Sequence, residues 1–146
     1  MSEPAKILVV EDDDDIRLYF EHCLSRMGFD VRAAPDGLAG LQAIDEFEPE
    51  LVLLNYQMPR MNGLEMMVEL SRRRPAGRPR VILMTGARYI KLEHVQPLGM
   101  IDVVHYPVSS AVLSELVLEA LDPALDVPAL MRRSRRRHAA SYYAQW

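Results

Sequence analysis

Five short strand-forming runs, each followed by a stretch with helical spacing of apolar residues, constrain this 146-residue chain more tightly than any other feature. The runs are Lys6–Val10, Phe29–Ala33, Leu51–Leu54, Val81–Thr85 and Ile101–His105, starting 20 to 30 residues apart. Strands that are apolar throughout must be covered on both faces, which requires a parallel sheet with helical, right-handed crossovers. The prediction is an α/β domain, doubly wound, with five parallel strands in the order 2-1-3-4-5.

The intervening stretches carry start and stop signals. Ile16, Phe20, Cys23, Leu24 and Met27 share one helical face, and Gly28 can end that helix in the left-handed conformation. Cys23, the lone cysteine, reads as a core residue and rules out an internal disulfide framework. Asp36 caps a helix with Leu38, Leu41, Ile44 and Phe47 inward, ending before Pro49. Asn62 caps another over about 63–73, with Leu64, Met67, Val68 and Ser71 at helical spacing. A weaker helix near 88–96 is closed by Pro97 and Gly99. Ser109 or Ser110 starts a helix with Val112, Leu113, Leu116, Val117 and Ala120 on one face, and Pro123 stops it.

Apolar residues make up 49 % of the chain and charged residues 26 %, with a net charge of −4, as in an ordinary globular protein. No apolar run approaches the roughly 20 residues that span a bilayer, and MSEPAK leads too soon into acids to be a secretory signal. The expectation is a cytoplasmic protein with no membrane contact. Residues 1–121 hold 19 acids against 12 Lys and Arg, whereas residues 122–146 hold two acids against five Arg. The division expected is a domain over 1–121 and a basic, aromatic C-terminal extension over 122–146, with no separate output domain.

Ligand sites in open α/β sheets form outside the C-terminal strand ends. Strands one and three are neighbours in the predicted order, so the acidic run Glu11–Asp15 should meet Asn55, beside Thr85 at the end of strand four. Clustered carboxylates repel unless a cation offsets them, and such hard oxygens suit magnesium better than zinc. Acids at a helix N-terminus also complement its dipole, and Asp14 or Asp15 could be the cap, so Asp13, Asp14 and Asp15 read as helix-start residues, and Glu11 and Asp12 as pocket. His22, His94, His105 and His138 are too dispersed for a zinc site. No Gly-rich phosphate loop or nucleophile elbow appears, and no enzyme is expected.

ILVVEDDDDIR, LVLLNYQMPRMNGLE, VILMTG and the Tyr-Pro at 106–107, in order and at matching spacing, resemble the receiver domain of bacterial two-component response regulators over about residues 5–121. The resemblance implies the flavodoxin-like receiver fold. It also implies magnesium held by Glu11, Asp12 and the backbone carbonyl of Gln57, and phosphoryl transfer from a histidine kinase to an aspartate at position 55. The chain has Asn55 there. An amide is neutral and a poor nucleophile where a carboxylate would attack phosphorus. The family's lysine before Pro107 is Tyr106, which cannot serve as an ammonium clamp on a phosphoryl group. The aromatic switch position falls on Val103, although its usual partner Thr85 remains.

These losses fit one another, since without an acceptor carboxylate the lysine has no phosphoryl group to hold. An engineered acceptor knockout would keep the lysine, so a naturally degenerate pseudo-receiver is preferred over a conventional phosphoreceiver with Asn55 introduced. No cofactor is required, and residual magnesium binding through Glu11, Asp12, Asn55 and Gln57 should be weak. The function expected is that of an atypical single-domain response regulator acting by phosphorylation-independent protein–protein interaction. Its partner would be a signalling protein or histidine kinase, or a second copy through the face of the fourth helix, fifth strand and fifth helix. Arg88, Tyr89, Lys91, Leu92 and Val104 belong to that face. Residues 128–140 are read as a solvated tail or one folding back on the acidic domain, ahead of a nucleic-acid contact. Tyr142, Tyr143 and Trp146 suggest docking onto a protein surface.

Overall fold

The most apolar run becomes the centre of the sheet. In the computed structural model, which describes residues 3–144, β3 (Leu51–Asn55) is buried along its whole length. It lies between β1 (Lys6–Val10) and β4 (Arg80–Thr85), with β2 (Asp30–Ala34) and β5 (Asp102–His105) at the edges. All pairings are parallel and the order is β2-β1-β3-β4-β5, with Val10 opposite Leu54 and Asn55 opposite Met84. Leu8, Val10, Leu54 and Leu83 point to one core layer, where α2 (Gly37–Phe47) and α3 (Gly63–Arg73) bring Leu41, Ile44, Met66 and Met67. Ile7, Val9, Leu53 and Ile82 point to the other, beneath α1 (Asp14–Arg26) and α5 (Ser110–Ala120). Burying each such side chain contributes about 1.5–3 kcal/mol, which fixes the register because a one-residue slip would reverse every side chain.

Helix starts follow the capping residues. The Asp13 carboxylate accepts the Asp15 and Ile16 N–H groups, Asp36 accepts that of Ala39, and Ser109 accepts that of Val112. Asn62 and Glu65 form a reciprocal capping box at α3. Gly28 takes φ +93°, the left-handed conformation that ends α1.

Four expectations shift. Strand two begins at Asp30 because Asp30 is the residue in register with Lys6. Leu38, Val68 and Val112, expected inward, are exposed. Leu41, Met67, Leu113 and Val117 face the core as expected and Met66 and Leu70 join them, while Leu38, Val68 and Val112, each one position from a buried residue, rotate outward by about 100°. Cys23 is partly buried and packs against the α1–α5 core layer without belonging to its buried set. The helix near 88–96 contracts to α4 (Leu92–Val95) and a 3-10 turn (Gln96–Leu98). The chain before it forms a separate turn closed by the Ile90 N–H on the Ala87 carbonyl, so the helix starts only after Lys91, and the proline at 97 has no N–H to continue the α-helical ladder.

The segment after α5 forms α6 (Val127–Ala144), which folds back on the acidic domain. The Arg80 guanidinium holds the approach by donating to the carbonyls of Ala120, Asp122 and Leu125. Asp126 caps α6 through the Ala129 N–H, and Pro128 occupies the first turn, where its missing N–H costs nothing. Leu130 packs with Ile82 and Ile101, and one turn on the buried Ser134 hydroxyl donates to Asp102 Oδ1 at 2.7 Å. Arg137 reaches Asp102 Oδ2 at 2.7 Å and Glu119 at 2.6 Å, and His138 lies 2.9 Å from Asp102 Oδ1. Burial, which leaves Asp102 only 3 % exposed, raises its pKa, but hydrogen bonds from His138, Ser134 and Arg137 outweigh it and hold the carboxyl below its ordinary range. The docking role expected of Tyr142, Tyr143 and Trp146 falls on side chains outside the described residues.

Removing the buried acceptor charge should uncouple α6. Asp102→Asn is expected to lower unfolding stability by about 3 kcal/mol and to speed tryptic cleavage between Arg132 and Arg137. Unchanged urea midpoint and cleavage rate would show that α6 is held by other contacts.

Candidate functional site

The C-terminal edge of the sheet gathers Glu11 and Asp12 after β1, Asn55 at the end of β3, Thr85 at the end of β4 and Tyr106 after β5. Gly63 allows the β3–α3 turn to close against it: its N–H donates to the Tyr56 carbonyl at 2.8 Å, and a Cβ there would stand 2.5 Å from the Asn55 carbonyl oxygen. Any side chain at 63 would push β3's end out of place.

The Asn55 side chain is buried, and its amide nitrogen donates to three oxygens: Glu11 Oε1 at 3.1 Å, Asp12 Oδ1 at 3.1 Å and the Gln57 carbonyl at 2.8 Å. Three acceptors facing one atom fix the amide's orientation, since its oxygen would be repelled there. Two amide protons serve three acceptors, so one is shared.

Glu11 is the group most altered by this setting. Burial raises its pKa to about 7, opposed by the Asp13 N–H and the Tyr106 hydroxyl and reinforced by the Asp12 charge. The Tyr106 hydroxyl donates to Glu11 Oε2 at 3.2 Å, and its ring lies 5.9 Å from that of Phe20. Burial, then the Glu11 carboxylate, push the Tyr106 phenol above its ordinary pKa, so it remains a neutral donor. The Tyr106–Pro107 peptide is cis.

The oxygens that the resemblance assigns to magnesium, Glu11, Asp12 and Gln57, converge, but on the nitrogen of Asn55. Magnesium takes oxygens at about 2.0–2.1 Å. Here the fourth member presents N–H donors toward its neighbours, so the residues as arranged do not fit the ion, and it would have to break three hydrogen bonds and rotate the amide. Among the described residues no group of three or more His, Cys, Asp and Glu forms a metal cluster. The α1 cap is Asp13 rather than Asp14 or Asp15, which lie in the first turn, and Glu11 and Asp12 remain in the pocket.

Thr85 is buried, and its hydroxyl accepts the Ala87 N–H at 2.9 Å. Val103 is buried in β5. Of the residues expected to form an interaction face, Arg88, Tyr89 and Lys91 are exposed, whereas Leu92 and Val104 are half-buried. The hydrogen bond from Tyr106 to Glu11 was not foreseen in the sequence. A phenol replacing a lysine beside a cluster of acids is the signal that could have pointed to it.

A doubly wound sheet with an acidic pair and a third polar residue meeting at the ends of β1 and β3 defines the receiver class of signalling domains. A family profile described as the response regulator receiver domain matches residues 7–118, and the chain belongs to that family. It is similar to the transcriptional regulatory protein CseB of Streptomyces avermitilis, 38 % identical over 115 residues, covering 77 % of this chain and 47 % of that protein. The Regulator of RpoS of Escherichia coli K12 is 30 % identical over 121 residues, covering 82 % of this chain and 36 % of that protein. The chain thus spans about half the length, or less, of these relatives. A response regulator receiver domain from Bermanella marisrubri has a TM-score of 0.75 at 25 % identity, covering 82 % of this chain and 99 % of that one. Among the described residues no helix is long and apolar enough to cross a membrane.

Glu11 makes stability depend on pH. Its folded pKa of about 7 lies above the ordinary 4.5, so its contribution is full below pH 4.5 and is lost as pH rises through about 7. Measured by urea unfolding with chelator present, the protein should lose about 2 kcal/mol between pH 5 and 8 relative to Glu11→Gln. Parallel curves for the two proteins would mean that Glu11 titrates normally.

Proposed function

We propose that this receiver is a constitutive protein–protein interaction module whose conformation does not depend on phosphorylation. The single observation carrying this reading is the Asn55 amide nitrogen donating at once to Glu11, Asp12 and the Gln57 carbonyl. Phosphoryl transfer to a side chain needs an anionic oxygen in line with phosphorus and cations around the equatorial oxygens. At position 55 the amide supplies no anionic oxygen, and its two protons already neutralise in part the carboxylates that would otherwise call for a cation. Tyr106 is neutral and turned to Glu11. The pocket is closed on itself by hydrogen bonds and works without magnesium.

The partner is a protein of a signalling pathway, met through shape. Arg88, Tyr89 and Lys91 stand exposed, while α6 lies along the same side of the domain through Gln96, Asp102 and Glu119. A homodimer using the α4–β5–α5 face therefore has to include α6 in its interface. Nucleic-acid binding by the basic segment is disfavoured, because Arg133, Arg135 and Arg137 are engaged with Glu119, Gln96 and Asp102. Arg132 and Arg136 alone are too few for a phosphate-tracking surface.

Incubation with acetyl phosphate and magnesium followed by intact mass measurement tests the reading. The unaltered protein should gain no phosphoryl group, with Asn55→Asp run beside it to report what the remaining pocket can do. A stoichiometric gain of one phosphoryl group on the unaltered chain would overturn the proposal and favour a working phosphoreceiver.

A further inference from the structure

We propose that the cavity beside Asn55 receives a guanidinium group, an arginine side chain presented by a protein partner. The cavity, about 420 Å³, is lined by Asp12, Tyr56, Gln57, Met58, Asn62 and Tyr89, among others, and no Lys, Arg or His lines it. The Tyr56 and Tyr89 rings meet edge to face, 6.3 Å apart at 81°, forming an aromatic corner. Tyr89 is 63 % exposed at the rim and has no core role to explain it. At the same mouth Asp12 is exposed, its Oδ1 accepting the Asn55 amide at 3.1 Å.

A mouth with aromatic faces and an acid, but no cation of its own, attracts positive charge. An aromatic face binds a cation through the ring quadrupole. A planar guanidinium stacks on that face and donates in a fork to a carboxylate, whereas an ammonium offers only a compact, strongly hydrated charge. The site accordingly prefers arginine to lysine. The inference rests on the proposed function in one respect, that no phosphoryl group occupies the mouth, and it names the chemistry of the partner that such a module would meet there.

Nα-acetyl-arginine amide, titrated into isotopically labelled protein with neither phosphodonor nor divalent ion, provides the test. Saturable backbone amide shifts are expected at Asp12, Gln57 and Tyr89, with a Kd of roughly millimolar order. The neutral isostere Nα-acetyl-citrulline amide should bind at least about tenfold more weakly. Tyr89→Leu should weaken arginine binding about threefold, while Tyr89→Phe, which keeps the ring face, should retain it. Equal shifts with citrulline, or affinity indifferent to Tyr89→Leu, would overturn the site. Because Tyr89 is exposed, these variants keep the fold, and the mass measurement on the unaltered protein reports separately on phosphorylation.

Discussion

One nitrogen atom holds the C-terminal edge of this domain together. Glu11 and Asp12 are adjacent acids beside the buried end of β3, and bringing them there costs free energy unless something offsets their charge. A carboxylate at position 55 would add a third negative group and make a divalent cation necessary. The Asn55 amide does the opposite: it removes one charge and directs two protons at the acceptors that remain. Glu11 completes the accommodation by shifting toward neutrality, with the Tyr106 hydroxyl on its second oxygen. Asn55 and Tyr106 therefore act on the same electrostatic problem, one at each oxygen of Glu11.

The backbone makes this possible, and the backbone was the legible part. Wholly apolar runs such as Leu51–Leu54, too short for a helix and bounded by Pro49 and a polar break, read as buried parallel strands, and the break at Asn55 marks the strand end to the residue. Caps were equally plain at Asp36 and Asn62, because their side chains have one local task, whereas at α5 two adjacent serines left the choice open until the structure placed it on Ser109. Helix faces were less so. In α3 the sequence Leu64-Glu65-Met66-Met67-Val68 places apolar residues around most of the circumference, and only the sheet decides that Met66 and Met67 face inward while Val68 does not. Where the pattern is nearly isotropic, its phase carries no information.

The basic segment shows the same limit in sharper form. The residues by which α6 docks are Leu130, Ser134, Arg137 and His138, a stripe at helical spacing in which three of the four are polar. Hydrophobic periodicity finds nothing there, and five arginines suggest solvent. The stripe becomes meaningful only with Asp102, at the start of an edge strand and more than thirty positions from His138, whose carboxylate gathers all three polar partners. A buried charge of this kind favours one specific docking over others, because any arrangement that leaves it unpaired is heavily penalised. The carboxylate thus does for α6 what apolar burial does for the other helices.

The same accounting bears on switching. A ligand or modification shifts a protein between states only by binding one better than the other. In this chain the Thr85 hydroxyl is tied to the Ala87 N–H, and Val103, buried in β5, has no ring to move between inward and outward positions. On the proposed reading these positions would no longer distinguish two states, and α6 adds further bonds to Gln96, Asp102 and Glu119. Under the proposed reading, a partner meeting this surface would select on a fixed arrangement of side chains, and its affinity would be set by complementarity rather than by a population that another signal must first create.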